Sequence, residues 1–471
     1  MLVTSNGTGM GHLTRQSAVA RALARRADVV VLSLSSGLPV VLQQGLRGEY
    51  LPSYQRPWFP RSDWHRYLAD RLVALVHELD ADVVAFDGVA PYRGLVLARR
   101  RLPATAFVWF RRGLWRHGVN RAALRAEPFF DLVIEPGDLS SAADRGATAR
   151  RTAARVPPVS LLDVLAPLPR DEAAAALGLD PSRPAALVTL GSGALGHDED
   201  AVAAALAAVR LHAPSWQLAT TQSALSTQVA EHHDVHLLRG VYPLAQYVRA
   251  FDLVVSAAGY NAVHEFVAAG VPTVLVPNTH TSTDDQVARA SHLDQAGLAV
   301  LSDPAQGTAG LTDAVARCLD RRADLAAAAD VAPTGGAQAA AALLLSLAAT
   351  DPSVHPLTRV RRARYLARAT VVDGLLRLLG AANAERLRTW RRSGRPGLTH
   401  RLPVDVVEDP AAPRAEHATL LLTEHLDSLL VGRADPVEHL LAGASPSYRQ
   451  ERLAILRRAY DVRSGLPAPS A

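Results

Sequence analysis

The chain has 471 residues, 49% hydrophobic and 20% charged, with a formal net charge of +5, so it is too long for one core, suits two domains plus an extension, and is not a disordered chain. A single cysteine, Cys318, excludes a disulfide framework within the monomer and a cysteine metal cluster, and points to a reducing cytoplasm. All fifty basic residues are arginine, a bias of the GC-rich, actinobacterial type, which excludes Schiff-base chemistry and a P-loop lysine because both need an ε-amine.

The chain opens on a short apolar strand from Leu2 that runs into Gly7, Gly9 and Gly11 and then a helix over 16–26. Glycines at such a turn let backbone N–H groups approach an anion or a sugar without obstruction by Cβ. They also interrupt the first apolar run, so no secretion signal is expected here. His12 follows at once, and an imidazole accepts a proton near neutral pH, which makes it the first candidate for a general base or an acceptor-orienting group. Apolar runs at 29–32, 83–86, 105–110 and 132–134 alternate with amphipathic helices, the pattern of a parallel sheet covered by helices. Asp87, directly after the second of these, lies at the edge of the expected cleft and is the second candidate for the base. Between Asp87 and Glu127 there are nine arginines and no acid, interleaved with aromatic residues. This predicts an anionic partner on the first domain, with Arg111, Arg112 and Trp115 following a strand into the cleft.

A proline-containing stretch at 156–169 reads as the linker between a first domain, 1–160, and a second, 170–348. Strands are predicted at 185–190, 216–219, 235–238, 253–255 and 273–276, again in βα alternation. Asp198-Glu199-Asp200 stands at the start of an alanine-rich helix, where acids complement the helix dipole, and is not read as a metal site. The most informative stretch is Ala258-Gly259-Tyr260-Asn261 with Glu265, followed by Gly270, Pro272, Pro277 and then Asp285-Gln286. A helix N-terminus there offers unpaired N–H groups to a diphosphate, Glu265 can accept from ribose hydroxyls, and Asp285 with Gln286 can hold sugar hydroxyls. Uncharged windows near 211–230 and 331–350 hold too many polar and turn residues to span a bilayer. Residues 352–471 form a helical extension: a basic amphipathic zone at 355–401 with twelve arginines, an acidic stretch at 405–438, and a helix over 448–460.

Around 2–15 and 253–286 the chain resembles the GT-B glycosyltransferases, especially the MurG type of glycosyltransferase family 28, and the resemblance covers about residues 1–345. It implies an α/β fold of two Rossmann-like domains facing a cleft, and an inverting, metal-independent transfer of a hexose or N-acetylhexosamine from a nucleotide diphosphate-sugar, UDP by first expectation. In such a fold Gly191, Ser192 and Gly193, with Ala258 to Asn261, would touch the donor phosphates, and backbone groups around Val241 and Tyr242 would meet the uracil edge. Gly9, Gly11 and Arg15, in a loop similar to the glycine-histidine loops of this family, would lie on the acceptor side. Met10 inside that loop departs from the MurG pattern and leaves the acceptor open, anionic or lipid-linked. The basic zone is expected to pack against the acidic stretch of the same chain, with peripheral membrane contact as the alternative, and no nucleic-acid partner is expected. The alternatives are a nucleotide-sugar hydrolase or 2-epimerase on a related fold, and a basic binding protein with an inactive fold. The last is disfavoured by the sugar-reading set Glu265, Asp285 and Gln286.

Overall fold

The computed structural model describes residues 1–5, 10–35, 37–51, 53, 61–191, 199–222, 232–327 and 332–349, with five further residues between 360 and 371. Expectations for Gly7, Gly9, Ser192, Gly193, Asp198 and nearly all of 352–471 lie outside the described residues.

Two parallel sheets carry the fold. The first contains β1 (Leu2–Thr4), β2 (Val30–Ser33), β3 (Arg47–Tyr50), β4 (Val83–Asp87), β5 (Ala106–Phe110), β6 (Leu132–Pro136) and β7 (Ala154–Val156), in the order 3-2-1-4-5-6-7. The second contains β8 (Ala185–Thr189), β9 (Gln217–Gln222), β10 (Val235–Arg239), β11 (Leu253–Ala257), β12 (Thr273–Val276) and β13 (Val300–Leu301), in the order 10-9-8-11-12-13. The central strands are continuous apolar runs because helices cover both faces, so alternate side chains have no solvent to face. Val83 to Phe86 and Ala106 to Phe110 are all buried, and Trp64 and Trp109 anchor the core of the first domain.

Three short strands escaped the sequence reading, β3, β7 and β13. β3, Arg-Gly-Glu-Tyr, carries no apolar run, and its Glu49 is fully buried because Arg71 Nε and Nη2 donate to its carboxylate at 2.6 and 2.9 Å. Such a strand is held by a long-range ion pair rather than by a pattern visible along the chain.

The order of each sheet reverses once, between β1 and β4 in the first and between β8 and β11 in the second. In open α/β sheets, ligands bind outside the carboxyl ends of strands at this point. Thr4 pairs in register with Asp87, and Ser256 with Thr189, so the carboxyl ends of β1 and β4, and of β8 and β11, mark the two walls of a cleft.

The second domain ends earlier than the sequence reading placed it. Helix Gly336–Ala348 leaves the second domain and packs back on the first, where Ala337, Ala340, Ala341 and Leu344 join the first domain's apolar core. The Asp163 carboxylate in the linker accepts from Gly335 N and Ala337 N at the start of this helix (2.7 and 2.9 Å). Gly336 permits the crossing, since a Cβ there would stand 2.2 Å from Pro158 O and 2.3 Å from Pro157 O.

Candidate active site

The helix after the first glycine turn runs Gly11–Leu23, five residues earlier than its predicted start. That extension places His12, Arg15 and Gln16 on one face at spacings of three and four, and all three meet Asp87 at the end of β4. Asp87 is fully buried; Arg15 Nε donates to its Oδ2 at 2.8 Å, Gln16 Nε2 donates to the same oxygen at 3.1 Å, and Arg15 Nη2 donates to Oδ1. Burial alone would raise the Asp87 pKa, but Arg15, and after it His12, hold it well below the usual carboxylate range.

His12 Nδ1 lies 2.8 Å from Asp87 Oδ1. Arg15 Nη2 also stands 3.0 Å from Nδ1, but the ionised carboxylate is nearer and only accepts, so the proton is assigned to Nδ1 and the lone pair to Nε2 on the Asp87 contact. Burial lowers the His12 pKa, Arg15 and Arg112 lower it further, and Asp87 opposes them without winning. The imidazole is therefore neutral at pH 7, correctly tautomerised and only partly exposed. Asp87, the second candidate for the base, has both oxygens engaged and a depressed pKa, so its place is behind His12 rather than at a substrate. Arg15, expected on the acceptor side, is buried and holds Asp87 instead.

Across the cleft, Ala258 and Gly259 open the helix Tyr260–Phe266, which has no side-chain cap. A Cβ on Gly259 would meet nothing within 4 Å, so the space before this helix is open. Asn261 Nδ2 donates to Gly11 O at 3.1 Å, bringing the two cleft walls together beside His12. Glu265, one turn further along, is buried, and burial alone pushes its carboxyl up to about 8. Gln286 Oε1 accepts from Asn278 N at 3.0 Å, and Asp285 accepts from Ala288 N at 3.1 Å as the cap of helix Gln286–Gln295. Asp285 thus spends one oxygen on its own helix. Gly191 sits after β8 at φ +101°, exposed, in a conformation that suits glycine.

Several residues read as ligand-facing join the domains instead. The Tyr260 hydroxyl accepts from Val159 N at 3.0 Å, and its ring lies between the guanidinium groups of Arg15 and Arg112, 5.1 and 5.4 Å from its centroid. Tyr242 donates to Thr14 Oγ1 at 3.4 Å and its carbonyl accepts from Gln44 Nε2 at 3.3 Å, while Val241 packs on the second domain's core. Trp115 is buried and forms an antiparallel bridge with Asp284, flanked by Asp285 N to Leu114 O (3.0 Å) and Arg116 N to Thr283 O (2.7 Å).

The sequence reading missed the pair that locks this junction. Arg289, fully buried on helix Gln286–Gln295, donates to Asp138 Oδ2 of the first domain (2.9 and 3.0 Å) and to both oxygens of Asp284 (2.8 and 3.1 Å). Burial would raise the Asp284 pKa, yet Arg289 and Arg112 hold it at about 2. The acids lie 5 and 151 positions away from Arg289, and only the nearer one offered any signal along the chain.

The arginine-rich stretch after Asp87 is not one open face. Arg111 is fully buried, paired with Glu127 and with Glu135 (2.8 Å), Arg99 with Asp131 (3.0 Å), and Arg101 with Asp70. Arg112 alone of the predicted pair stays at the cleft, with Asp284 Oδ1 3.4 Å away. Arg111→Ala should therefore unfold at lower temperature, by about 2 kcal/mol or more of lost stability, because buried carboxylates lose their partner even with Arg151 and Arg155 remaining. Arg112→Ala should melt near wild type and lose activity; thermal unfolding of the two variants side by side tests the distinction.

The comparisons with known proteins agree with this geometry. The family model described as the glycosyltransferase family 28 C-terminal domain matches residues 213–344. The UDP-N-acetylglucosamine--N-acetylmuramyl-(pentapeptide) pyrophosphoryl-undecaprenol N-acetylglucosamine transferase of Leifsonia xyli subsp. xyli is 31% identical over 320 residues, covering 64% of this chain and 85% of that protein. The chain belongs to glycosyltransferase family 28. The same-named enzyme of Exiguobacterium sp. is 32% identical over a shorter stretch of 104 residues, 22% of this family-28 chain and 29% of that protein. In three dimensions the spinosyn forosaminyltransferase SpnP superposes at TM-score 0.53 with 16% identity, covering 74% of this chain and 99% of SpnP. A putative UDP-N-acetylglucosamine 2-epimerase from Listeria monocytogenes also superposes at 0.53, with 14% identity over 75% and 98% of the two chains. These likenesses establish the GT-B fold that this family-28 chain shares with transferases and epimerases.

Proposed function

We propose that this family-28 chain is an inverting, metal-independent glycosyltransferase that moves a sugar, N-acetylglucosamine by analogy with its Leifsonia relative, from a UDP-sugar to a hydroxyl of a lipid-linked, pyrophosphoryl-bearing acceptor. The observation that carries the reading is the opposition of His12, fixed by Asp87 at one strand-order reversal, to the open N-terminus at Gly259 and the buried Glu265 at the other. His12 Nε2 takes the acceptor hydroxyl proton as that oxygen attacks the anomeric carbon. The bond from the anomeric carbon to the β-phosphate oxygen breaks with its electron pair, and UDP leaves. Its charge falls on the N–H groups of residues 259–261 and on the Arg112 guanidinium, which serve where another transferase would use a cation. Glu265 takes the ribose hydroxyls, and the free oxygen of Asp285 and the amide of Gln286 take the sugar. Supporting the donor assignment is the lack of any hydrogen bond to the Glu265 carboxyl among the described residues, which a diol would supply.

Release of UDP from a panel of UDP-sugars, with and without a polyprenyl pyrophosphoryl acceptor, tests the reading. Acceptor-dependent UDP release that is indifferent to a chelator is the expected result; free sugar released equally fast without acceptor would assign hydrolysis instead.

Glu265 makes two further tests. Glu265→Ala should weaken UDP binding by about 1–3 kcal/mol, the scale for leaving buried polar groups without their hydrogen-bond partner, and calorimetry on folded protein reads it. Because the carboxyl is raised from 4.5 to about 8 in the folded protein, its contribution to stability is complete below the unfolded value and is lost as pH rises through 8. Glu265→Gln should hence be more stable than wild type at pH 8.5, by an amount on the order of 1–3 kcal/mol, and equal to it at pH 4.5. Parallel melting curves at the two pH values would expose a failure.

A further inference from the structure

Behind the 112–116 loop lies a groove of about 1610 Å³ ringed by Arg121, Arg125, Arg145, Arg150, Arg151 and Arg364. Its two acids are already spent. Glu127 is taken by Arg111 and Arg151, and Asp144 accepts from Leu114 N at 2.9 Å, Gly146 N at 2.7 Å and the Thr148 hydroxyl at 3.2 Å. Arg145 donates only to the carbonyls of Ala142 and Asp144. Arg121, Arg125, Arg150 and Arg364 pair with no carboxylate among the described residues, so several cations converge on one concavity without a counter-charge. Like charges held together this way repel, and the arrangement is stabilised by an anion with several charges.

Two features of the chain say which anion. Arg364 belongs to the C-terminal extension, so that segment reaches the rim of the groove. Further along the same chain, residues 405–438 carry eight acids, Asp405, Glu408 and Asp409 among them, against two arginines. The thirty-odd residues between 371 and 405 can extend on the order of 100 Å, so reach is not limiting.

We propose that the acidic segment 405–438 of this chain docks into the arginine groove of the first domain, tying the extension to the acceptor-side domain. The contact is intramolecular, and the groove's charge excess over its own acids selects this segment from the rest of the extension, whose 355–401 zone is itself basic. Asn120, at the groove's edge, donates to Val89 O two residues beyond Asp87, so the docked segment borders the mouth of the cleft.

Hydrogen exchange by mass spectrometry on the full chain tests this, comparing wild type with Arg121→Ser/Arg125→Ser/Arg150→Ser. The three side chains are exposed, so the substitutions should leave the melting temperature within a degree or two. At low salt, amides in 405–438 should exchange at least about tenfold more slowly in wild type than in the triple variant, and 0.5 M NaCl should erase the difference. Arg121→Glu/Arg125→Glu should lose the protection, and adding Glu408→Arg/Asp409→Arg should restore it. Equal exchange of 405–438 in wild type and triple variant overturns the proposal. So does protection that falls on dilution, which would assign the groove to a second copy. Equal exchange combined with triple-variant loss of sedimentation on anionic lipid vesicles would overturn it in favour of a membrane surface.

Discussion

His12→Ala is expected to lower the rate of sugar transfer by about 10²–10⁴, the span for a lost general base, with UDP affinity close to wild type. The reasoning is positional as well as chemical. His12 Nδ1 is 2.8 Å from Asp87, which leaves Nε2 for the acceptor, and the lowered His12 pKa keeps that nitrogen unprotonated at neutral pH. The acid limb of the rate profile should accordingly fall below the ordinary histidine value of about 6.5. Asp87→Asn should be about as damaging but for another reason. An asparagine can present its amide to His12 and favour the wrong tautomer, and it leaves the buried Arg15 guanidinium without its charge partner. Asp87→Asn should thus lower both rate and thermal stability, whereas His12→Ala should lower rate alone. Steady-state rates and melting curves for the pair separate the roles, and a His12→Ala protein with nearly full activity would remove the imidazole from the chemistry.

Arg289→Leu should produce the largest loss of stability of any single substitution considered, about 3–5 kcal/mol, because it leaves the buried Asp138 without its arginine and Asp284 with Arg112 alone. For domains of this size such a loss lowers the unfolding midpoint by about 10 °C. Arg289 belongs to the second domain and Asp138 to the first, so the damage falls on the junction as well as on one core. Combining Arg289→Leu with Asp138→Asn and Asp284→Asn should recover part of the loss, since the two carboxylates that lost Arg289 become neutral amides. Calorimetry on the single and triple variants decides it: no recovery would place the cost in cavity formation rather than in the stranded carboxylates. The kinetic effect should resemble a loosened cleft, with UDP-sugar KM raised, because Asp284 also bridges to the Trp115 backbone and lies beside Arg112.

The central strands and the helix that starts after Gly259 were readable along the chain, because each depends on residues a few positions apart. A run such as Val83 to Phe86 has to be a buried parallel strand wherever it lies, and Gly259 followed by Glu265 six residues later lays out a helix start and a carboxylate on that helix. Even the set at Asp87 was half visible. His12, Arg15 and Gln16 sit at helical spacing, and the structure added that the helix begins at Gly11 and that all three close on Asp87, more than 70 positions away.

Charge was where reading along the chain went astray. Nine arginines without an acid between Asp87 and Glu127 read as a single anion-binding face, yet Arg111 is neutralised from 16 and 24 positions downstream and Arg112 meets an acid 172 positions away. β3 has no apolar run to mark it along the chain and is held by Glu49 paired with Arg71, and Trp115 and Tyr260 looked like ligand-facing aromatics until each was found bonded across the domain junction. The same limit applied to helix Gly336–Ala348, whose sequence gives an apolar helix but not the domain it covers. By itself the sequence determined the two α/β sheets and the helix start at Gly259, since hydrophobic period and helix-start signals are local. Only the tertiary structure decided which charges are spent and which remain for a substrate: an ion pair forms between groups that folding brings within about 4 Å, whatever their separation along the chain.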